Sequence, residues 1–284
     1  MLKRHIITTL MLLPLLACTD DVLEPVDTRE QLIPVRLTTR ASDDEGRQIG
    51  LYMVYGLMKP AANYIDNMLV NSKDGLWMPE QTIYWKDHES SADFIGYAPY
   101  TKIIDDARAY KFDVKTNQTT KEQLDASDLL WNKVTSQQPT NQHIDLTLKH
   151  ILSRVVVNVV AGEGFAEDEL ENGTLSVVLN GMRVNAAINL YNGSIAAEGE
   201  PATIIPYKNG DLQFEAIIIP QPVKDADIVT VTWNGNTNKV RRTLTFTSGK
   251  RYTINVTLNK SKGGINVGIS DWDDDGEDFG GTVS

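Results

Sequence analysis

Hydrophobic and polar residues alternate with period two along much of this chain, and in one place the alternation changes phase. From Ile144 the run Ile-Asp-Leu-Thr-Leu-Lys puts Ile144, Leu146 and Leu148 on one face and Asp145, Thr147 and Lys149 on the other. A few residues later Val155, Val157 and Val159 share the opposite phase, against Arg154 and Asn158. A one-residue slip sends every side chain to the other face of a sheet. One continuous half-buried strand therefore needs a bulge here. The simpler reading is two strands in two different cores, joined near Lys149–Ser153. That places a domain boundary at about residue 150, with domains over 32–150 and 151–284.

Short strands fill both halves. Leu32–Thr39 alternates, with Ile33, Val35 and Leu37 on one side, and Ala41–Arg47 reads as a solvated loop. Ile49–Tyr55 is rich in branched and aromatic residues, as strands are, and short apolar runs follow at Leu76-Trp77, Thr82–Trp85, Phe94–Tyr100, Tyr110–Val114 and Leu129–Trp131. Thr116–Ala126 is polar and reads as a loop or short helix. In the second half Asn180-Gly181 and Asn234-Gly235 are hairpin turn signals, and Tyr252, Ile254, Val256 and Leu258 alternate cleanly with Thr253, Asn255 and Thr257. Many short strands with regular turns and no long helical period predict an all-β chain of antiparallel sandwiches.

The N-terminal residues follow a different pattern. Lys3 and Arg4 precede the apolar run Ile6–Ala17, which contains Pro14. That run is too short to span a bilayer as a helix and matches a secretory signal. It ends in Leu15-Leu16-Ala17-Cys18, which is similar to the bacterial lipobox, and Cys18 is the sole cysteine. The expectation is a signal peptide over 1–17, a diacylglycerol thioether on Cys18, and a polar tether over 18–31. An intrachain disulfide is impossible. Asp20-Asp21 resembles the acidic signals that direct some lipoproteins to the outer face of the outer membrane.

Composition narrows the chemistry. The 284 residues are 41% hydrophobic and 23% charged, enough for packed cores, and the net charge of −11 argues against binding nucleic-acid phosphates. Asp271-Trp272-Asp273-Asp274-Asp275-Gly276 matches the first half of a calcium loop, but its twelfth position is Thr282 in place of the bidentate acid. The sequence has no metal-ligand pairing among His5, His88, His143 and His150, no phosphate-binding glycine loop and no serine nucleophile elbow. No catalytic residue, metal or cofactor is expected. Trp77, Trp85, Tyr97 and Tyr100 offer two readings, a sugar-stacking platform or core packing.

An ordered set of phrases resembles the fimbrillin family, the subunits and accessory proteins of type V pili. The set runs through the lipobox, Thr39-Arg40-Ala41, Ile49-Gly50-Leu51-Tyr52, Ile83-Tyr84-Trp85, Tyr97-Ala98-Pro99-Tyr100, Ser127-Asp128-Leu129-Leu130, His150-Ile151-Leu152-Ser153-Arg154, Ile219-Pro220-Gln221, Ser248-Gly249-Lys250 and Ile269-Ser270-Asp271-Trp272. The resemblance implies two tandem transthyretin-like sandwiches, export as a surface lipoprotein, and assembly into fimbriae by strand exchange with other subunits. It also implies a proteolytic cut after an arginine that follows the first strand. Arg40, just before Ala41, fits in position and type; Arg47 is the second candidate, and Arg36 the poorer one because it lies within the strand. The expected partners are fimbrial subunits, the outer membrane through lipid on Cys18, and a ligand on a host or bacterial surface. A competing reading is a surface lipoprotein that binds glycans without polymerising.

Overall fold

The computed structural model describes residues 32–39, 46–56, 63–261 and 264–278, with backbone alone for 261 and 264–278. The expected sites Cys18, Arg40 and Ala41 lie outside these residues.

Strands dominate in chain order. The first half holds β1 (Leu37–Thr38), β2 (Gln48–Tyr55), β3 (Asn63–Lys73), β4 (Leu76–Pro79), β5 (Ala92–Ala98), β6 (Tyr110–Asp113), helix α1 (Lys121–Asp125), β7 (Leu130–Gln137), β8 (Ile144–Asp145) and β9 (Lys149–His150). The second holds β10 (Ser153–Ala161), β11 (Leu175–Asn189), β12 (Ser194–Ile204), β13 (Tyr207–Lys208), β14 (Gln213–Ile218), β15 (Pro222–Trp233), β16 (Asn236–Thr245), β17 (Lys250–Ser261) and β18 (Gly264–Asp278). One sheet has the order β8-β1-β4-β3-β2-β5-β7-β9; the others run β13-β14-β10-β17-β18 and β12-β11-β15-β16. The chain is thus all-β, as its alternation predicts. Most pairs are antiparallel, while β1–β8 and β10–β17 are parallel. Parallel neighbours need a long crossover, and in both pairs more than ninety residues intervene between partners such as Leu37 and Ile144.

The phase change coincides with a change of core. Ile144, Leu146 and Leu148 are buried in one cluster with Leu37, Ile49, Leu51, Phe94 and Trp85, whereas Val155, Val157 and Val159 belong to the other. Between Asp145 and Lys149 the chain steps from one outer strand of the first sheet to the other, since β8 and β9 sit at opposite ends of the strand order. Four Cα steps reach at most about 14 Å, so this sheet rolls over until its two edges approach. Gly96 makes room for the step, because a Cβ there would stand 2.9 Å from Leu148 Cδ2 and 3.2 Å from Leu146 Cδ2.

Two elements depart from simple alternation. Strands β2 and β5 are buried on both faces. Ile49, Leu51, Met53 and Phe94 point into the first cluster, while Tyr52, Val54, Ile95 and Tyr97 point into the second. Such strands read as continuous apolar runs. The segment after β5 also crosses over. β6 pairs with β11, placing Tyr110 and Phe112 in the second cluster. Gln118, fully buried, donates to Ile217 O and accepts from Ile217 N, both at 2.8 Å, tying this segment to β14. The polar stretch then forms α1, capped by Thr120 and Gln123, with Leu124 turned inward.

Candidate functional site

The N-terminal strand sits in the interior of the first sheet. Leu37 pairs antiparallel with Trp77 of β4 and parallel with Ile144 of β8. Upstream, the extended residues continue along 83–85: Val35 N donates to Ile83 O at 2.8 Å, Trp85 N to Ile33 O at 2.9 Å, and Pro34 bridges Tyr84. On the other flank Ile144 N donates to Arg36 O and Leu146 N to Thr38 O, both at 2.9 Å. Thr39 N and Thr38 Oγ1 close the end by donating to Gly75 O at 3.0 and 2.7 Å.

Alternation explains what this strand buries. Leu37 is buried, and Ile33 and Val35 pack half-buried against the same cluster. The partners around it are rigidly held. Trp77 Nε1 donates to Leu146 O at 3.0 Å, and the Trp85 and Phe94 rings meet edge to face with centroids 5.6 Å apart. Beyond Trp85 a tight loop is fixed by Asp87, whose carboxylate accepts from Ser90 N, Ser90 Oγ and Glu89 N at 2.6–2.9 Å. Those bonds, Ser90 N first, lower its pKa to about 2.

Without residues 33–39, the N–H groups of Ile144, Leu146 and Trp85 and the carbonyls of Ile83 and Gly75 lose their partners inside a sheet, and the space over the first core between β4 and β8 opens. Unpaired buried backbone groups are costly, and a bare row of them is a template for an incoming strand. In this structure the chain's own residues 33–39 supply the strand that these groups pair with.

The other expected residues fall in different places. Arg36 is exposed and donates to Asn141 O at 3.4 Å. Arg47 lies half-buried just before β2. The sugar-stacking platform is corrected: Trp77, Trp85 and Tyr97 are buried, and only Tyr100 reaches the surface. Tyr97 covers Gly50, where a Cβ would meet its ring at 2.1 Å. Its hydroxyl donates to Asn67 Oδ1 at 2.7 Å, and burial pushes its pKa well up. The calcium-like run Asp271–Gly276 is part of the extended strand β18, not a loop. The sequence reading missed the double-sided packing and the flanking role of 83–85; alternation inside Leu32–Thr39 was the signal for the strand itself.

A profile of the fimbrillin-like family matches residues 38–272. A Bacteroides uniformis protein named as a candidate fimbrium subunit, Fim1C, is 25% identical over 301 aligned positions, which cover 96% of each chain. Among solved structures, a candidate cell adhesion protein from Bacteroides uniformis matches with TM-score 0.66 and 21% identity, over 88% of this chain and 99% of its own. The tip fimbrial protein Mfa3 from Porphyromonas gingivalis, solved with a C-terminal truncation, matches with TM-score 0.55 and 11% identity, over 84% of this chain and 99% of its own. At these identities the solved structures speak for a shared fold.

Proposed function

The chain belongs to the fimbrillin-like family, and from that premise we propose that this fimbrial subunit is exported as an outer-membrane lipoprotein through Cys18, is cut after Arg40, and takes a strand from a neighbouring subunit in place of residues 33–39. One observation supports the reading above all: the first strand in chain order is an interior strand of its sheet and buries few side chains. Only Leu37 among its hydrophobics is fully covered, a burial worth about 1.5–3 kcal/mol. Removal of the strand therefore opens a paired slot at modest cost in packing.

The donor is a C-terminal strand of another subunit. In this chain Gly264–Asp278 pairs with β17 at the outer position of its sheet. Its first part, Ile265–Ile269, is apolar, while Asp271–Asp278 is strongly acidic. An acidic strand is a poor fit to an apolar slot. A subunit that accepts well and donates poorly belongs at a tip.

The test uses the purified precursor and an arginine-specific protease. A new N-terminus at Ala41 together with mixed oligomers is the expected result. Resistance at Arg40 and Arg47, with residues 32–39 retained in mature protein from cells, overturns the proposal. Cys18→Ala is expected to abolish lipid-dependent partitioning into detergent.

A further inference from the structure

A polar cleft lies apart from the strand slot. It encloses about 710 Å³ and is floored by Leu124, Leu130 and Ile217. Its walls carry hydrogen-bonding groups of both kinds, with Arg47, Lys121 and Arg154 as donors and Asp125 and Asp128 as acceptors. Tyr100, partly exposed, forms part of the lining. Several of these groups are held in place. Lys121 Nζ meets Asp125 Oδ1 at 2.5 Å, His150 Nδ1 meets Asp128 Oδ2 at 2.5 Å, and Arg154 is paired with the buried Glu215. Asp125 is exposed to the cleft's solvent, whereas Asp128 Oδ1 is buried.

Three features narrow the ligand. The volume falls in the range of small-molecule sites. Lys121 is paired with Asp125, Arg154 with Glu215 and His150 with Asp128, so the lining favours neither a strong anion nor a cation. Donors and acceptors crowd around an apolar floor and one aromatic ring. That combination suits a ring with many hydroxyls and two apolar faces, because each hydroxyl both donates and accepts. We infer that this cleft binds an uncharged saccharide unit, with the exposed Asp125 carboxylate accepting from a sugar hydroxyl and Tyr100 covering a face of the ring. The site uses neither the N-terminal strand nor its slot, so binding does not depend on assembly.

Saturation-transfer NMR on the full chain tests this, with glucose, galactose, mannose and N-acetylglucosamine as probes and sodium glucuronate and inorganic phosphate as charged controls. At least one neutral sugar is expected to saturate in the millimolar range. Tyr100→Ala and Asp125→Ala are expected to weaken it about tenfold or more, a loss of one hydrogen bond or ring contact. Tyr100→Phe is expected to keep it. Asp125→Asn, which keeps a carbonyl acceptor on the same exposed side chain, is expected to retain binding, and thermal unfolding monitors each variant. The inference is overturned if no neutral sugar saturates, if only glucuronate or phosphate binds, or if binding ignores Tyr100→Ala and the folded Asp125→Ala variant.

Discussion

Strands β1 and β17 occupy equivalent situations in their sheets and are built very differently. Each lies between one parallel and one antiparallel neighbour: β1 between β8 and β4, β17 between β10 and β18. β17 is twelve residues long and buries Tyr252, Ile254, Val256 and Leu258 in one unbroken alternation. β1 has two residues of regular strand, extended upstream by isolated bonds, and buries Leu37. The same topological slot is thus heavily filled in one core and lightly filled in the other. A fold that exchanges a strand needs one slot of each kind, since the second core must survive when the first is opened.

The largest effect follows from breaking β17. Ile254 is 1% exposed at the centre of β17, and Ile254→Ala is expected to cost about 2–5 kcal/mol, as buried isoleucine truncations do. Leu37→Ala is expected to fall at or below the low end of that range, because its strand can yield locally. Denaturant unfolding of the two variants, with hydrogen exchange at Trp85, Ile144 and Leu146, makes the comparison. For Leu37→Ala the exchange rise is expected to be confined to those first-sheet amides. Equal global losses would end the distinction between the slots.

Much of this contrast was legible in the sequence. The clean alternation of Tyr252–Leu258 reports a strand with one buried face, which is observed, and the phase change after Leu148 coincides with a change of core. Alternation fails where a strand is buried on both sides, as in Ile49–Tyr55, because every position is then apolar and no face stands out. It also fails for Trp77, Trp85 and Tyr97, since composition cannot tell a ring that lines a core from one that lies on a surface. The excursion of Tyr110 and Phe112 into the second core is set by pairing with Asn185–Ile188, a long-range choice that no local pattern encodes. The cleft was illegible for the same reason: Arg47, Tyr100, Lys121 and Arg154 come together only through tertiary packing.

The second prediction sharpens the comparison at the closure of the first sheet. Gly96 faces Leu146 and Leu148, the step that carries the chain from β8 to β9. Gly96→Ala forces a methyl against Leu148 Cδ2 at 2.9 Å and leaves Ile49 Cδ1 at 3.5 Å. Overpacking of this kind is expected to cost about 1–3 kcal/mol. It pushes on the step just after β8, where Leu146 N pairs with Thr38 O on one flank of the N-terminal strand, so the proposed cleavage after Arg40 is expected to become faster. A stabilised variant, or unchanged proteolysis with the loss in stability, would show that β8 does not govern release of the strand.

The smallest effect is electrostatic and concerns the other flank. Trp85 donates to Ile33 O, and the loop after it is held by the Asp87 carboxylate. The hydrogen bonds to Asp87 favour its charged form and set its folded pKa at about 2, against about 4 in an unfolded chain. A depressed carboxylate contributes stability that is fully present above the unfolded value and is lost as pH falls through the folded one. The window is therefore about pH 4 down to about pH 2. Asp87→Asn keeps a carbonyl acceptor and removes the charge, so it is expected to lower the melting temperature slightly at pH 7. The gap between variant and wild type is expected to shrink below pH 4 and close near pH 2. Exchange at the Trp85 amide is expected to quicken in the variant at pH 7, since the loop no longer pins the residue that pairs with Ile33. A gap that persists unchanged at pH 2 would show that the charge of Asp87 is not what holds this flank, and the slot would then owe its shape to the Trp85–Phe94 packing alone.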